Sequence, residues 1–304
     1  MSPILFNVVM EGLLRHLASC DVGYTLAGDK VNALAYADDV CIAASSKEEA
    51  QILLDRCTQY VEWAGFAFNA KKCGSLCLVN QASPIYVDHL YTPRLGADVI
   101  PALSWEERYK YLGCPTGAYR SNVAVLENLK QALLKDADVV FQSSLAEWQK
   151  LDAFRRFLFP RLSFAFKVLF PNTSWCQKLD TQLRSVIKKG LRLPRRTATH
   201  YFYLQQALGG MGIPSATNEA HAAKAGQAFK FLADMRDPFI RNVALDQLRD
   251  TVAKRARHLD PNNLEHLGEF LNNSAPPGEG RAGDLQSLWS HCRASLTMGG
   301  QPSR

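Results

Sequence analysis

The stretch Val31-Asn32-Ala33-Leu34-Ala35-Tyr36-Ala37-Asp38-Asp39-Val40-Cys41-Ile42-Ala43-Ala44 constrains this chain more than any other. Two apolar runs of strand length meet at a pair of adjacent aspartates. A tight turn between them predicts a β-hairpin with Asp38 and Asp39 at its tip. Ala35, Ala37 and Ala43 are small and leave room around that tip for a bulky polyanion and its metal ions. Paired hard-oxygen ligands suit Mg²⁺, which is held by one or two carboxylates together with substrate phosphates and water. Taken alone, the same pair also reads as an ordinary polar turn between strands.

The flanking sequence extends this hairpin into an ordered series. Ser2-Pro3 starts a helix whose apolar residues Ile4, Leu5, Val8, Val9, Leu13, Leu14 and Leu17 recur at helical spacing to about Cys20. After the hairpin, Ser45-Ser46-Lys47-Glu48-Glu49 begins a second helix that Gly65 ends, with Ile52, Leu53, Leu54, Tyr60, Val61 and Trp63 as its apolar side. Phe66-Ala67-Phe68-Asn69-Ala70-Lys71-Lys72 follows, then an apolar strand from Ser75 to Val79. Alternation between Ile85 and Leu103, with Gly96 and Pro101, predicts a small hairpin in which Asp88 is structural. Beyond Asn122 the pattern turns helical. Val125, Leu126, Leu129, Leu133 and Leu134 form one stripe; Leu151, Phe154, Phe157, Leu158 and Leu162 form another, broken by Pro160. Later helical patterns run through Ala222, Ala225, Phe229 and Leu232 and near Leu245 and Leu248. Asn272 to Gly280 reads as linker sequence and the tail after Thr297 as disordered.

Charge separates the parts of the chain. Residues 1–120 hold 10 Lys and Arg against 13 Asp and Glu, residues 121–214 hold 14 against 6, and residues 215–304 hold 11 against 10. The middle third therefore carries a net +8. Within it Arg184, Lys188, Lys189, Arg192, Arg195 and Arg196 form a run without acidic residues at a spacing that fits helix turns, followed by Tyr201, Phe202 and Tyr203. Such a run reads either as a solvated helix face or as a surface for a nucleic-acid backbone, with Lys188, Lys189, Arg192, Arg195 and Arg196 as its contacts.

Hydrophobic residues at 47% and charged residues at 21% give an ordinary globular balance over 304 residues, which excludes wholesale disorder. There is no basic start followed by an apolar run and cleavage site, and no segment apolar enough to span a membrane. The expectation is a soluble intracellular protein, nuclear or cytoplasmic and not secreted. The eight cysteines include no Cys-x-x-Cys pair, which predicts reduced structural thiols rather than a zinc site.

Tyr36-Ala37-Asp38-Asp39 resembles the signature of reverse transcriptases, and the blocks around it match that family in order. The helix from Ser2 through Leu14 is similar to the one that checks the incoming nucleotide. The Gly-apolar-x-apolar-Asn-x-x-Lys pattern from Gly65 is similar to the motif whose lysine, here Lys72, donates a proton to the leaving pyrophosphate. Tyr109-Lys110-Tyr111-Leu112-Gly113 resembles the turn that positions the primer end. Gly190-Leu191-Arg192-Leu193-Pro194 and Gly209-Gly210-Met211-Gly212-Ile213-Pro214 resemble the thumb of reverse transcriptases from site-specific non-LTR retrotransposons with a single reading frame.

The resemblance implies an α+β fold: a partial palm of antiparallel strands with two helices over residues 1–120, a helical thumb over 121–214, and a helical extension over 215–304 with a linker near 272–283. It implies RNA-directed DNA synthesis with Mg²⁺ or Mn²⁺. Asp38 serves as metal ligand assisted by Asp39, Lys72 as acid, Tyr36 packs under the primer end, and Tyr111, Leu112 and Gly113 hold the primer. The partners implied are an RNA template, a DNA primer and deoxynucleoside triphosphates, with no membrane. The family's other catalytic aspartate lies on an upstream strand, and only Glu11, Asp21 and Asp29 precede Asp38 here. The chain therefore reads as the back half of a polymerase of impaired activity, whether or not it is an enzyme as it stands. A non-catalytic RNA- or DNA-binding module is the alternative, and an unrelated α/β protein with an accidental Asp-Asp turn is a third reading.

Overall fold

The computed structural model describes residues 3–79, 85–118, 122–233, 237–272, 288–290 and 292–293. The chain divides into two compact units, Met1–Ser121 and Asn122–Arg304. The architecture is α+β, helix-rich with short antiparallel strand pairs. No helix among the described residues is long and apolar enough to cross a membrane.

In the first unit, α1 (Pro3–Ala18) and α2 (Lys47–Ala64) pack together through Leu13, Leu17, Leu53 and Cys57. The ends of α2 follow from its sequence. Ser46 accepts a hydrogen bond from the Glu49 amide, and Gly65 closes the helix at φ 75°, a left-handed conformation that costs glycine nothing. Gly12 lets the two helices approach: a Cβ there would lie 2.1 Å from the Tyr60 hydroxyl oxygen, which itself donates to the Val9 carbonyl at 2.9 Å.

The strands form separate antiparallel two-stranded pairs among the described residues. Where the turn is among the described residues, each hairpin closes on two residues, which satisfies its backbone locally. β1 (Tyr24–Leu26) and β2 (Asp29–Val31) pair across Ala27-Gly28, both at positive φ. This hairpin escapes the hydrophobic pattern because it is exposed, and it takes Val31 away from the central hairpin. That central hairpin is β3 (Ala33–Tyr36) with β4 (Asp39–Ile42). β5 (Leu78–Val79) pairs with β6 (Tyr86–Val87), so the strand expected from Ser75 shrinks to two residues. β7 (Arg94–Leu95) pairs with β8 (Asp98–Val99) around Gly96, as the alternation predicts, and β9 (Tyr109–Tyr111) pairs with β10 (Cys114–Thr116). Gln51 anchors β7 to α2 by accepting from the Arg94 amide and donating to its carbonyl, both at 3.0 Å. Asp88 is structural as expected, accepting from Lys47 at 2.5 Å and from the Leu90 amide.

Periodicity overstates burial at several positions. Ile4, Leu5 and Val8 of α1 are exposed, because α2 meets α1 from Val9 onward; Ile52 and Trp63 of α2 are exposed as well.

The second unit has two cores. The first gathers α3 (Val123–Gln142), α4 (Glu147–Ala153), α5 (Leu162–Val168), α6 (Thr173–Gly190), α7 (Thr199–Tyr203) and the start of α8 (Ala216–Ala233). Between α4 and α5 the chain runs through a π turn, Phe154–Leu158, and a 3-10 turn, Phe159–Arg161. These irregular turns absorb Pro160, which has no amide to donate, and they leave Phe157 exposed. The second core joins the end of α8 to α9 (Pro238–Arg255) and α10 (Leu264–Leu271) with Trp289 and Cys292. α8 buries Ala216, Ala220, Lys224 and Ala228, a stripe four residues apart, while Ala222 and Phe229 face out. Small alanines allow close helix packing, so the buried face is not the bulky one. The linker expected near residues 272–283, beyond Asn272, and the tail after Thr297 lie outside the described residues.

Asp180 of α6 organises this unit. It is buried, and its carboxylate accepts from the Ser215 hydroxyl (2.9 Å), the Ala216 amide (2.7 Å), and both the amide (3.1 Å) and hydroxyl (2.8 Å) of Thr217. A carboxylate from another helix thus satisfies the orphan amides at the start of α8, with the helix dipole adding to the attraction.

Candidate functional site

The central hairpin places its residues by period-two alternation. Ala33, Ala35, Val40 and Ile42 are half-buried, and Ala33, Val40 and Ile42 pack against the α1–α2 core. Tyr36, Asp39, Leu34 and Cys41 take the opposite, exposed face. The turn is Ala37-Asp38, with Tyr36 opposite Asp39. Asp38 therefore occupies the tip, and Asp39 begins β4. Ala37 adopts φ 54°, where its Cβ crowds the following carbonyl; such backbone strain clusters at functional sites.

β9 carries the second component. Burial raises the Tyr109 and Tyr111 phenol pKa values above the ordinary range, and the charge of Asp39 raises both further. Cys41 also acts on Tyr111, so the outward face of β4 and the Tyr109–Tyr111 face of β9 lie within electrostatic range. The β9–β10 turn is Leu112-Gly113, with φ 49° and 78°. Two positive φ values match the right-handed twist of a hairpin, and the arrangement leaves the Leu112 side chain exposed.

Lys72 closes a 3-10 turn, Ala70–Lys72, and is exposed. The Tyr109 hydroxyl donates to its carbonyl oxygen at 2.7 Å. Three blocks distant in sequence, around Asp39, Lys72 and Tyr111, thus converge within one unit. Of the upstream acids, Asp21 pairs with Lys30 at 2.5 Å and Glu11 with Arg15 at 2.9 Å, and Asp29 begins β2. Among the described residues no group of three or more His, Cys, Asp or Glu side chains comes together.

The basic run lies in the second unit and is not one helix. α6 ends at Gly190, where a Cβ would meet the Phe141 Cβ at 2.4 Å, and Arg192 turns the chain at φ 52°. The residues beyond α6 therefore sit in a loop rather than on the helical face that their spacing suggests. Lys188 points into that loop, donating to the carbonyls of Arg195 (3.0 Å) and Thr197 (3.2 Å) with its ammonium 5.6 Å from the Phe202 ring centroid. Arg184 stacks on Tyr203 and donates to its hydroxyl. Lys189 is exposed and 4.0 Å from Asp138, while Arg192, Arg195 and Arg196 are exposed.

The glycine-rich element supports the same loop. Met211, Gly212 and Ile213 donate their amides to the carbonyls of Tyr201, Leu204 and Phe202 at 2.8–2.9 Å. A Cβ on Gly210 would lie 2.2 Å from the Leu204 carbonyl oxygen, so only glycine fits there. Sequence reasoning marked this element but missed Asp180, which no local signal distinguishes from a surface acid.

Residues 1–116 match the family described as reverse transcriptase (RNA-dependent DNA polymerase). The chain carries a reverse-transcriptase domain. Its relatives make that domain one of the R2 type of non-LTR retrotransposon. The chain is 31% identical over 227 residues to the Retrovirus-related Pol polyprotein from type-2 retrotransposable element R2DM of Drosophila melanogaster, covering 71% of this chain and 20% of that protein. It is 30% identical over 219 residues to the Pol polyprotein from type-1 retrotransposable element R2 of Nasonia vitripennis, covering 71% and 21%, and 25% identical over 222 residues to one from Popillia japonica, covering 70% and 30%. The chain thus spans between a fifth and a third of the length of these relatives.

Proposed function

We propose that residues 1–120 contribute a palm segment to RNA-directed DNA synthesis by metal-assisted nucleotidyl transfer, and that the helical region from residue 121 to 214 contributes a thumb. The observation that carries this reading is the convergence just described: the Tyr109 hydroxyl of β9 holds the Lys72 turn at 2.7 Å, and Asp39 lies within electrostatic range of the same hairpin. A polar turn of no function would not gather the residues of three recognised blocks.

The donor set fits a hard divalent cation. Asp38 and Asp39 supply carboxylate oxygens at an exposed tip, the arrangement by which Mg²⁺ or Mn²⁺ is held jointly with substrate phosphates and water. Such ions, when bound, activate the primer 3′-hydroxyl and neutralise charge on the departing pyrophosphate. Asp38 ligates, and Asp39 assists while steadying the hairpin through its pairing with Tyr36. Tyr36, exposed beside them, supports the primer end. Lys72 delivers a proton to the leaving pyrophosphate oxygen, and the Tyr111-Leu112-Gly113 turn sets the primer against the tip. The substrates are an RNA template, a DNA primer and deoxynucleoside triphosphates.

Two adjacent carboxylates bracket a pair of ions only with a further ligand, and β3 and β4 each pair with a single strand among the described residues. We assign the missing ligand to a carboxylate on an added strand. The 304-residue chain by itself is then expected to bind Mn²⁺ weakly and to extend primers poorly. The test is Mn²⁺ binding by electron paramagnetic resonance on the chain, with primer extension by the full-length element protein alongside. Asp38→Asn should reduce both; unchanged binding and extension would refute the assignment.

A further inference from the structure

The six basic residues of the 184–196 run separate into two structural classes. Lys188 is turned into the loop that follows α6 and Arg184 against Tyr203 of α7, while Lys189, beside Asp138, and Arg192, Arg195 and Arg196 on the loop are exposed. Among the described residues no hydrogen bond, ion pair or ring contact engages the last three guanidinium groups. The loop has no regular structure from Leu191 to Ala198 and little burial, so something else must hold it. Lys188 is placed to do so. One ammonium bridges the Arg195 and Thr197 carbonyls, while the Lys188 carbonyl accepts from the Leu193 amide at 2.9 Å and Thr197 folds back on Pro194 through both its amide (3.0 Å) and its hydroxyl (2.7 Å). On the far side, the glycine-rich segment pins Tyr201, Phe202 and Leu204.

We infer that Lys188 is a positioning residue, not a phosphate contact, and that the loop it cross-links presents Arg192, Arg195 and Arg196 as a surface for the sugar-phosphate backbone of RNA. Guanidinium groups suit this partner because their planar donors match phosphate oxygens in pairs. Tyr201 and His200, exposed next along the chain, offer flat rings on which an unpaired base can stack. The inference rests on the reading above that the chain handles a nucleic acid, and it adds which cations meet the polymer and which hold the others in place. Charge alone does not separate Lys188 from Lys189; the two carbonyls facing its ammonium do.

The salt dependence of binding distinguishes the roles. Each phosphate contact made to a single strand adds about 0.7 to the slope of log affinity against log salt. The probe is a fluorescein-labelled 20-nucleotide RNA titrated with the 304-residue chain at several salt concentrations. The triple variant Arg192→Gln, Arg195→Gln, Arg196→Gln should lower the slope by about two. Lys188→Met should weaken binding roughly tenfold in the native chain, through loss of contacts it does not itself make, and should change nothing in the triple-variant background. A Lys188→Met loss of equal size in both backgrounds would make Lys188 a direct contact and overturn the inference.

If Lys188→Met does not fold, amine-acylation footprinting of the native chain gives the answer. Lys188 should be protected with and without RNA, whereas free reactivity that RNA suppresses would overturn the assignment. Binding of anionic phosphatidylserine vesicles in place of RNA, with the same dependence on the three arginines, would also overturn it. Asp38→Asn that leaves metal binding and extension unchanged while RNA binding keeps this pattern would refute the catalytic reading alone.

Discussion

The Tyr109 hydroxyl and the Lys72 carbonyl oxygen are joined by a hydrogen bond of 2.7 Å across 37 residues of sequence. It ties the hairpin that ends in Leu112-Gly113 to the turn that carries the exposed lysine. Tyr109→Phe keeps the ring and removes only the donor. The variant should lose about 1 kcal/mol of stability in urea denaturation and exchange its amides faster at Lys72 and Cys73. Unaltered exchange there would show that the turn stands without the tyrosine.

Gly12→Ala should weaken the packing of α1 on α2. The added Cβ would lie 2.1 Å from the Tyr60 hydroxyl oxygen and 3.1 Å from the ring carbon bearing it, so the Tyr60 ring must give up its bond to Val9 or the helices must part. The expected cost is about 1–3 kcal/mol, the range for overpacking a close contact. Adding Tyr60→Phe removes the nearest atom, so the double variant should be less destabilised than the sum of the singles. Chemical denaturation of all four proteins checks this.

Asp180→Ala should be among the most damaging single changes in the second unit. It leaves the first amides of α8 and two hydroxyls without the carboxylate they share. A loss of at least about 2 kcal/mol is expected from an interhelical cap of this kind. Asp180→Asn retains one acceptor oxygen and should fall between. Thermal melting followed at 222 nm would reveal the order.

The acid side of the stability profile should carry the mark of His221. Burial, and then the Lys224 ammonium, hold its imidazole below the ordinary value of 6.5. The unfolded chain therefore takes up this proton first as pH falls. Stability from this group is intact above 6.5 and is lost progressively as pH drops from there through the lowered folded value. His221→Gln should flatten that part of the curve in urea midpoints compared between pH 7 and pH 5. An unchanged slope would remove His221 as its source.

Much of the candidate site was legible in the residues because its signals are local. A two-residue turn flanked by alternating strands places Asp38 at a tip whatever surrounds it, and Ser46 and Gly65 end α2 through bonds spanning three or four residues. The basic run shows where local reading stops. Spacing treats residues 184–196 as one helical face, but Gly190 ends α6 against Phe141, and the remainder folds over as a loop. Phe157 and Phe229 fit their apolar stripes and are nevertheless exposed, because a π turn rotates one and an alanine stripe packs in place of the other.

What the sequence determined by itself is therefore the set of pieces: a hairpin with two carboxylates, capped helices, an ordered series of blocks that marks a reverse transcriptase, and a basic middle third. Tertiary structure decided which pieces meet. It brought the Tyr109 hydroxyl onto the Lys72 carbonyl, placed Asp180 over the start of a helix 36 residues away, and turned Lys188 toward two backbone carbonyls while its neighbour Lys189 stayed outside. The reason is physical. Periodicity and capping act over one or two turns of chain, whereas a hydrogen bond or a charge in a folded interior responds to whatever packing has carried beside it.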